Sequence, residues 1–251
     1  MQEEEREIRR FEELAEQCYA RGRYTFTDFL GLSEYALFLS VAPRFSYVPY
    51  TVFGGAEGCE RVMVRFGSAE VLSYPEEEFP IACLLVAPSA PKFAEPFSHR
   101  DCLGAVMNLG IKRECLGDIF LSEGRAYLFC LEKIAPYLCE NLEKVRHTPV
   151  RVTRTEPPAA VYSKVEEETV QVSSPRADAV VAHAYRLSRT EGADLFAARR
   201  VFVNGRLTEN VSADLRAGDL VTVRGFGRFR VGEARGLSRK GKLNLPIEKY
   251  V

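Results

Sequence analysis

The stretch that most restricts the fold of this chain is a run of helix and turn signals between Ser173 and Val231. Ser188-Arg189-Thr190-Glu191 has the spacing of a capping box, in which a serine hydroxyl and a glutamate carboxylate satisfy free amides at a helix start. Upstream, after Ser173-Ser174-Pro175-Arg176-Ala177-Asp178, residues Val180, Ala184 and Leu187 recur on one helical face. Downstream, Ala193, Phe196 and Ala197 are the expected inward residues of the second helix, which runs out at Arg199-Arg200. Val201-Phe202-Val203 then enters Asn204-Gly205, a strong signal for a tight hairpin turn. Gly218-Asp219 turns the chain again, into Leu220 to Val223. Two short helices followed by a small sheet are the expected result.

Charge separates this region from the rest. Residues 173–251 carry 15 Lys and Arg against 8 Asp and Glu, a net of +7. The first 172 residues carry a net of −8, so the overall −1 hides a divided molecule. A localised positive surface suits a phosphate backbone, because each neutralised phosphate releases counterions. From Thr222 to Val231 the pattern reads as one strand. Val221, Val223, Phe229 and Val231 fall on one face, and Arg224, Phe226, Arg228 and Arg230 on the other. Guanidinium forks beside a ring suit RNA with unpaired bases. The bland reading of the same row is a solvated strand face.

The order of these residues resembles the S-four RNA-binding domain. The matching positions are Arg176 and Asp178, Ser188-Arg189, Val201 to Gly205, and Gly218-Asp219. Ala177 replaces a usual leucine, and Arg199 stands where glycine commonly ends the second helix, so it must adopt a left-handed cap or end the helix differently. The resemblance implies RNA contacts by Arg176, Arg189, Arg199 and Arg200, extended by Arg224, Phe226, Arg228, Arg239 and Lys240.

The remaining chain reads as α+β. Its 251 residues, 46% of them hydrophobic, suffice for two or three domains. No apolar run approaches the ~20 residues of a membrane span, and the start, Met-Gln-Glu-Glu-Glu-Arg, is not a secretory signal. The seven cysteines contain no Cys-x-x-Cys pair and the three histidines are scattered. Reduced thiols in a cytoplasmic protein without metal or cofactor are therefore expected. A helix is predicted over 3–20, a capped stretch from Thr27-Asp28, a helix from Leu32 to Val41, and strands from Ser46 to Phe53 and Arg61 to Phe66. These make a small α+β domain over 1–75. The glycines of Gly54 to Gly58 lack the Gly-Lys-Ser/Thr of a phosphate loop and read as a tight turn.

Residues 76–155 run strand (Ile81 to Ala87), helix (Ser98 to Leu109), strand (Gly117 to Leu121), strand (Arg125 to Leu131), helix (Glu132 to Val145) and strand (Thr148 to Thr155). That β-α-β-β-α-β order predicts a ferredoxin-like domain. Residues 156–172 read as a linker. Thr155 to Ala160 is a stiff proline-bearing hinge, and Glu166-Glu167-Glu168 a solvated acidic run that repels RNA from it. The S-four domain occupies 173–251 with a basic extension, and Leu243 to Tyr250 is a candidate final strand.

The most specific string lies in the middle segment: His99-Arg100-Asp101-Cys102-Leu103-Gly104-Ala105, Leu109-Gly110-Ile111-Lys112-Arg113-Glu114, and Leu116-Gly117-Asp118-Ile119. Together with Gly54-Gly55, Glu60-Arg61 and the C-terminal domain, it resembles the YlmH family of bacterial proteins. The resemblance implies a cytosolic RNA-binding protein on the large ribosomal subunit, with rRNA or tRNA as partner. It also implies a role in handling stalled nascent chains and a link to cell-division gene clusters. Read as chemistry, His99 and Cys102 can meet at i, i+3 while Asp101 faces elsewhere. With Cys102 on the apolar stripe of Ala105 and Val106, burial is preferred over catalysis. Lys112 and Arg113 form a basic exit loop that either touches RNA or pairs with Glu114 and Asp118, while Gly110 and Gly117 are expected to set turns. The rival classes are an RNA-modifying enzyme of the pseudouridine-synthase kind and a protein scaffold.

Overall fold

The computed structural model describes residues 2–157 and 165–250, apart from the side chains of Phe93 and Val165. The chain is mixed α and β and divides into two compact units: Met1–Glu34 with Val41–Tyr162, and Tyr35–Ser40 with Ser163–Val251. The end of the expected hinge, Pro158 to Ala160, lies outside the described residues.

The first unit opens with α1 (Gln2–Arg21), whose acidic first turn and terminal Arg21 complement the helix dipole. It buries Phe11, Ala15 and Cys18, part of the expected stripe. A three-stranded sheet follows in the order β1 (Thr25–Phe26), β3 (Met63–Phe66), β2 (Tyr50–Phe53), with α2 (Leu32–Val41) between β1 and β2 in the chain. Thr27 and Asp28 do not open a helix. The Thr27 hydroxyl accepts from the Val64 amide at 2.9 Å, and Asp28 pairs with Arg10. The strand expected from Ser46 begins only at Tyr50, because a 3-10 turn spans Ala42–Phe45. A single helical turn, α3 (Ala69–Leu72), is capped by Ser68.

A five-stranded antiparallel sheet forms the rest of this unit. In chain order come β4 (Ile81–Pro88), α4 (His99–Met107), β5 (Leu116–Ser122), β6 (Arg125–Leu131), α5 (Ala135–Asn141), β7 (Lys144–Val145) and β8 (Thr148–Arg154). The strand order β5-β6-β4-β8-β7 interleaves two split β-α-β units. The helix expected over Glu132–Val145 is shorter, with a 3-10 turn at Glu132–Ile134, α5 proper, and then β7. Alternation gives the sheet two buried faces. Ala82, Leu84, Val86, Leu128 and Cys130 pack with Cys102, Val106 and Leu138 of the helices. Cys83, Phe129 and Leu131 point the other way and pack with Phe29 and Met63.

The second unit is a six-stranded antiparallel sheet in the order β11-β10-β12-β13-β14-β9, packed with two helices. These are β9 (Val165–Val172), α6 (Ala177–Ala184), α7 (Arg189–Ala197), β10 (Val201–Val203), β11 (Arg206–Leu207), β12 (Leu220–Val223), β13 (Gly227–Val231) and β14 (Leu243–Tyr250). Residues Val165–Val172 are therefore not a linker. β9 pairs along its whole length with β14, from Leu243↔Val172 to Tyr250↔Val165. Its glutamates blunt the open sheet edge, and two of them hold cations, Glu168 with Lys249 at 2.6 Å and Glu167 with Arg235 at 2.7 Å.

The inward face of α7 is Gly192, Leu195 and Phe196, not Ala193 and Ala197, of which Ala197 is exposed. A Cβ at Gly192 would stand 2.9 Å from the Ala182 Cβ, so glycine lets α6 and α7 approach closely. The strand expected over Thr222–Val231 is a hairpin: β12 ends at Val223, Arg224-Gly225-Phe226 turn, and β13 returns. Val221, Val223, Phe229 and Val231 nevertheless all lie in the core, as the alternation predicts.

Candidate nucleic-acid interface

Arginines mark both helix ends in the second unit. The capping box at Ser188 is present: its hydroxyl accepts from the Glu191 amide at 3.2 Å, and the Glu191 carboxylate accepts from the Ser188 amide at 2.8 Å. This leaves the Arg189 side chain exposed at the first turn of α7. At the other end the Arg200 amide donates to Leu195 at 3.0 Å and the Arg199 amide to Phe196 at 2.9 Å. That is a Schellman closure, with Arg199 left-handed at φ 56° where glycine would be unstrained. Helix α6 closes the same way: Leu187 donates to Ala182 at 2.8 Å and Arg186 sits at φ 54°. Each cap turns an arginine out at a helix end. Arg186 was not among the residues singled out from sequence, because the signal for a helix end is glycine.

The other cations are held to different degrees. Arg176 makes a bidentate pair with the buried Asp178, Nε to Oδ1 at 3.1 Å and Nη2 to Oδ2 at 2.9 Å. That pair holds the Asp178 carboxyl below the usual aspartate range, and engages two of the five Arg176 donors. Arg199 lies 3.6 Å from Glu209, with both side chains well exposed. Arg200 donates through Nε to the Arg224 carbonyl at 2.9 Å and covers the Phe226 ring at 5.4 Å, stapling α7 to the hairpin turn. Phe226, 42% exposed, also meets Tyr185 at 5.4 Å between ring centroids. Arg224 lies over Phe202 at 5.8 Å, and Arg228 over Tyr250 at 4.8 Å. Arg239 and Lys240 are exposed at the tip of a turn closed by Gly241 donating to the Ser238 carbonyl at 2.9 Å. Arg200, Phe226 and Tyr185 thus form one contiguous cation and ring group, and Tyr185 too was missed from sequence.

In the first unit the motif string is divided between core and surface, with Cys102, Leu116 and Gly117 buried and His99, Arg100 and Lys112 exposed. Ser98 and Asp101 form a reciprocal cap for α4, and the Asp101 carboxyl is held low by the Ser98 amide and hydroxyl. Cys102 is fully buried and its thiol is pushed up to about 12. Partial burial, reinforced by Arg113, lowers the pKa of His99, with Asp118 opposing. Gly110 is left-handed at φ 80°, as a turn needs. Gly117 instead lies within β5, where a Cβ would stand 2.8 Å from Phe129 and from Phe29, so it serves close packing rather than a turn. A register shift between Leu116 and Ile119 bulges the strand and aims Asp118 at the Glu60 and Arg61 amides.

Arg113 donates to the Leu116 and Gly117 carbonyls at 3.0 and 3.2 Å, and burial brings its pKa down to about 10. Its Nη1 thus braces the start of β5. Lys112 is exposed and only loosely paired, 3.8 Å from Glu114. Arg100 and Gly104 face the surface, while Leu103 is partly buried against the helix-side core. Among the described residues no cluster of three His, Cys, Asp or Glu could hold a metal ion, and no helix is long and apolar enough to cross a membrane.

Residues 75–157 match the protein family described as "Putative RNA-binding domain in YlmH". The "Ribosome-associated protein quality control protein P2" of Bacillus subtilis is 29% identical over 234 residues, covering 90% of this chain and 88% of that protein. A solved structure, "Cell division protein ylmH from Streptococcus pneumoniae", is 22% identical with a TM-score of 0.48, covering 61% of this chain and 91% of that one. Over most of its length the chain is therefore similar to a ribosome-associated quality-control protein, and over residues 75–157 to a YlmH-type RNA-binding domain.

Proposed function

We propose that this chain is a non-catalytic RNA-binding protein. In this reading it grips structured rRNA or tRNA on the large ribosomal subunit, in the cytoplasm, and serves the handling of stalled nascent chains. The second unit acts as an S-four-type module. The observation that carries the reading is the set of arginines turned out at the ends of α6 and α7, beside the Arg200–Phe226–Tyr185 group. Guanidinium groups at helix ends position phosphates, and an exposed ring beside a cation stacks an unpaired base. The likeness to the Bacillus subtilis protein supports the ribosomal setting.

The same geometry argues against the enzymatic alternative at His99. A thiol pushed up to about 12 in a packed core is not a nucleophile at neutral pH, and Asp101 is committed to its cap. Arg189, Arg186, Arg239 and Lys240 are the preferred phosphate contacts, with Arg176 and Arg200 holding the scaffold.

The test is co-sedimentation with purified large subunits across a salt series. Arg189→Glu with Lys240→Glu, both exposed, should abolish pelleting at moderate salt and lower the slope of log K against log salt by about two. Pelleting equal to wild type in the folded variant would refute the assignment.

A further inference from the structure

RNA-binding sheets of the common kind stack bases on exposed aromatic side chains. That route is closed in the segment matching the YlmH domain. The middle of the sheet face opposite the helices is itself core, with Phe129, Leu131 and Cys83 each at most 8% exposed and packed with Phe29 and Met63, and its exposed β8 residues, Arg151 and Thr153, carry no ring.

The helix side carries a groove of about 510 Å³ between α4 and the α5–β7 corner. Its rim holds Arg100, Lys144 and Arg146, all exposed, and its wall includes Gly104, Ala105 and Asn108. Nothing lies within 4 Å of where a Cβ on Gly104 would stand, so the floor beside the motif helix is open. Arg146 is left-handed at φ 54° in the turn between β7 and β8, and its Nε lies 3.8 Å from Asp101 Oδ1. Of the two acids lining the groove, Asp101 turns Oδ2 to the Ser98 amide and hydroxyl at 2.8 and 2.7 Å, and Glu143 is exposed.

We propose that this groove is a second RNA site, distinct from the C-terminal module, which takes one unpaired strand. A phosphate sits between the guanidinium groups of Arg100 and Arg146, with Lys144 beside it, and the adjoining nucleotide lies over Gly104 and Ala105. Planar bidentate donors suit a phosphate, and the open glycine floor leaves room for a base or ribose. The surface residues of the motif, Arg100 and Gly104, thereby acquire a use that helix capping and core packing leave unexplained.

The test is ultraviolet crosslinking of the full chain to a labelled polyuridine RNA of about 20 nucleotides, followed by peptide mass spectrometry. Crosslinks within residues 99–109 or 141–147 are expected. Crosslinks confined to residues 165–250 would overturn the proposal without touching the C-terminal assignment. In parallel, Arg100→Glu with Arg146→Glu should weaken binding of the same RNA about tenfold and lower the salt slope by about two. An unchanged affinity and slope in a variant that unfolds at the wild-type temperature would also overturn it. Because the crosslink is read on the wild-type chain, a variant that fails to fold does not remove the test.

Discussion

Arginine does opposite work in two groups of side chains, one inside the first unit and one on the surface of the second. In the first, Arg61 donates through Nε to the Leu116 carbonyl at 2.7 Å and through Nη2 to the Phe29 and Arg113 carbonyls at 3.0 and 3.1 Å. Arg113 donates to the Leu116 and Gly117 carbonyls, and Asp118 accepts from the Glu60 and Arg61 amides. Burial lowers the pKa of both guanidinium groups, because removal from water disfavours the charged form. In the second unit Arg189, Arg186 and Arg239 stand exposed at helix and loop ends. The side chain is the same, but its donors are either consumed by backbone or left for a ligand. Counting basic residues cannot separate the two, whereas counting committed donors can.

The sharpest way to break that contrast is to remove the buried member. Arg61→Ala removes the Arg61 donors to the Phe29 and Arg113 carbonyls, leaves Leu116 with Arg113 alone of the two guanidinium donors, and should destabilise the fold by about 3 kcal/mol in urea unfolding. RNA affinity per folded molecule should be unchanged; a loss below about 1 kcal/mol would show that the network is not structural. Asp178→Asn tests the intermediate case, a buried carboxylate with a half-exposed arginine, and should cost about 2 kcal/mol at pH 7. The folded-state pKa of Asp178 is depressed, so its stabilisation is present above the ordinary aspartate range and is lost as pH falls through the folded value. Wild type and variant should therefore converge in stability under acid, and a gap that persisted at low pH would contradict the pairing. The smallest effect belongs to Arg199→Gly. Relief of the left-handed cap should raise stability by about 0.5–1 kcal/mol while removing one exposed charge, readable as a higher melting temperature. A lower melting temperature would mean that contacts of the Arg199 side chain, such as its pairing with Glu209, outweigh the backbone strain.

Local rules on this chain were legible wherever the physics is local. The capping box at Ser188, the Asn204-Gly205 turn and the alternation of Val221, Val223, Phe229 and Val231 depend on spacing alone, and each stands in the structure. At Arg199 the sequence left two outcomes, a left-handed cap or a different helix end, and the structure has the first. What depended on partners far along the chain was not legible. The acidic run at Glu166 reads as linker until β14 pairs with it, some eighty residues away. The Arg224-Gly225-Phe226 turn is the exception, a local hairpin closed by Val223 and Gly227, whose two left-handed glycines were masked by the alternation around them.

The sequence by itself therefore determined the caps, the tight turns and the periodic core faces, because these are set by neighbours a few positions apart. Only the tertiary structure decided which cations are free, since a guanidinium is committed or available according to the carbonyls and carboxylates that distant segments bring to it. Arg113 and Arg176 are engaged that way, and Arg186 and Arg146 stand exposed.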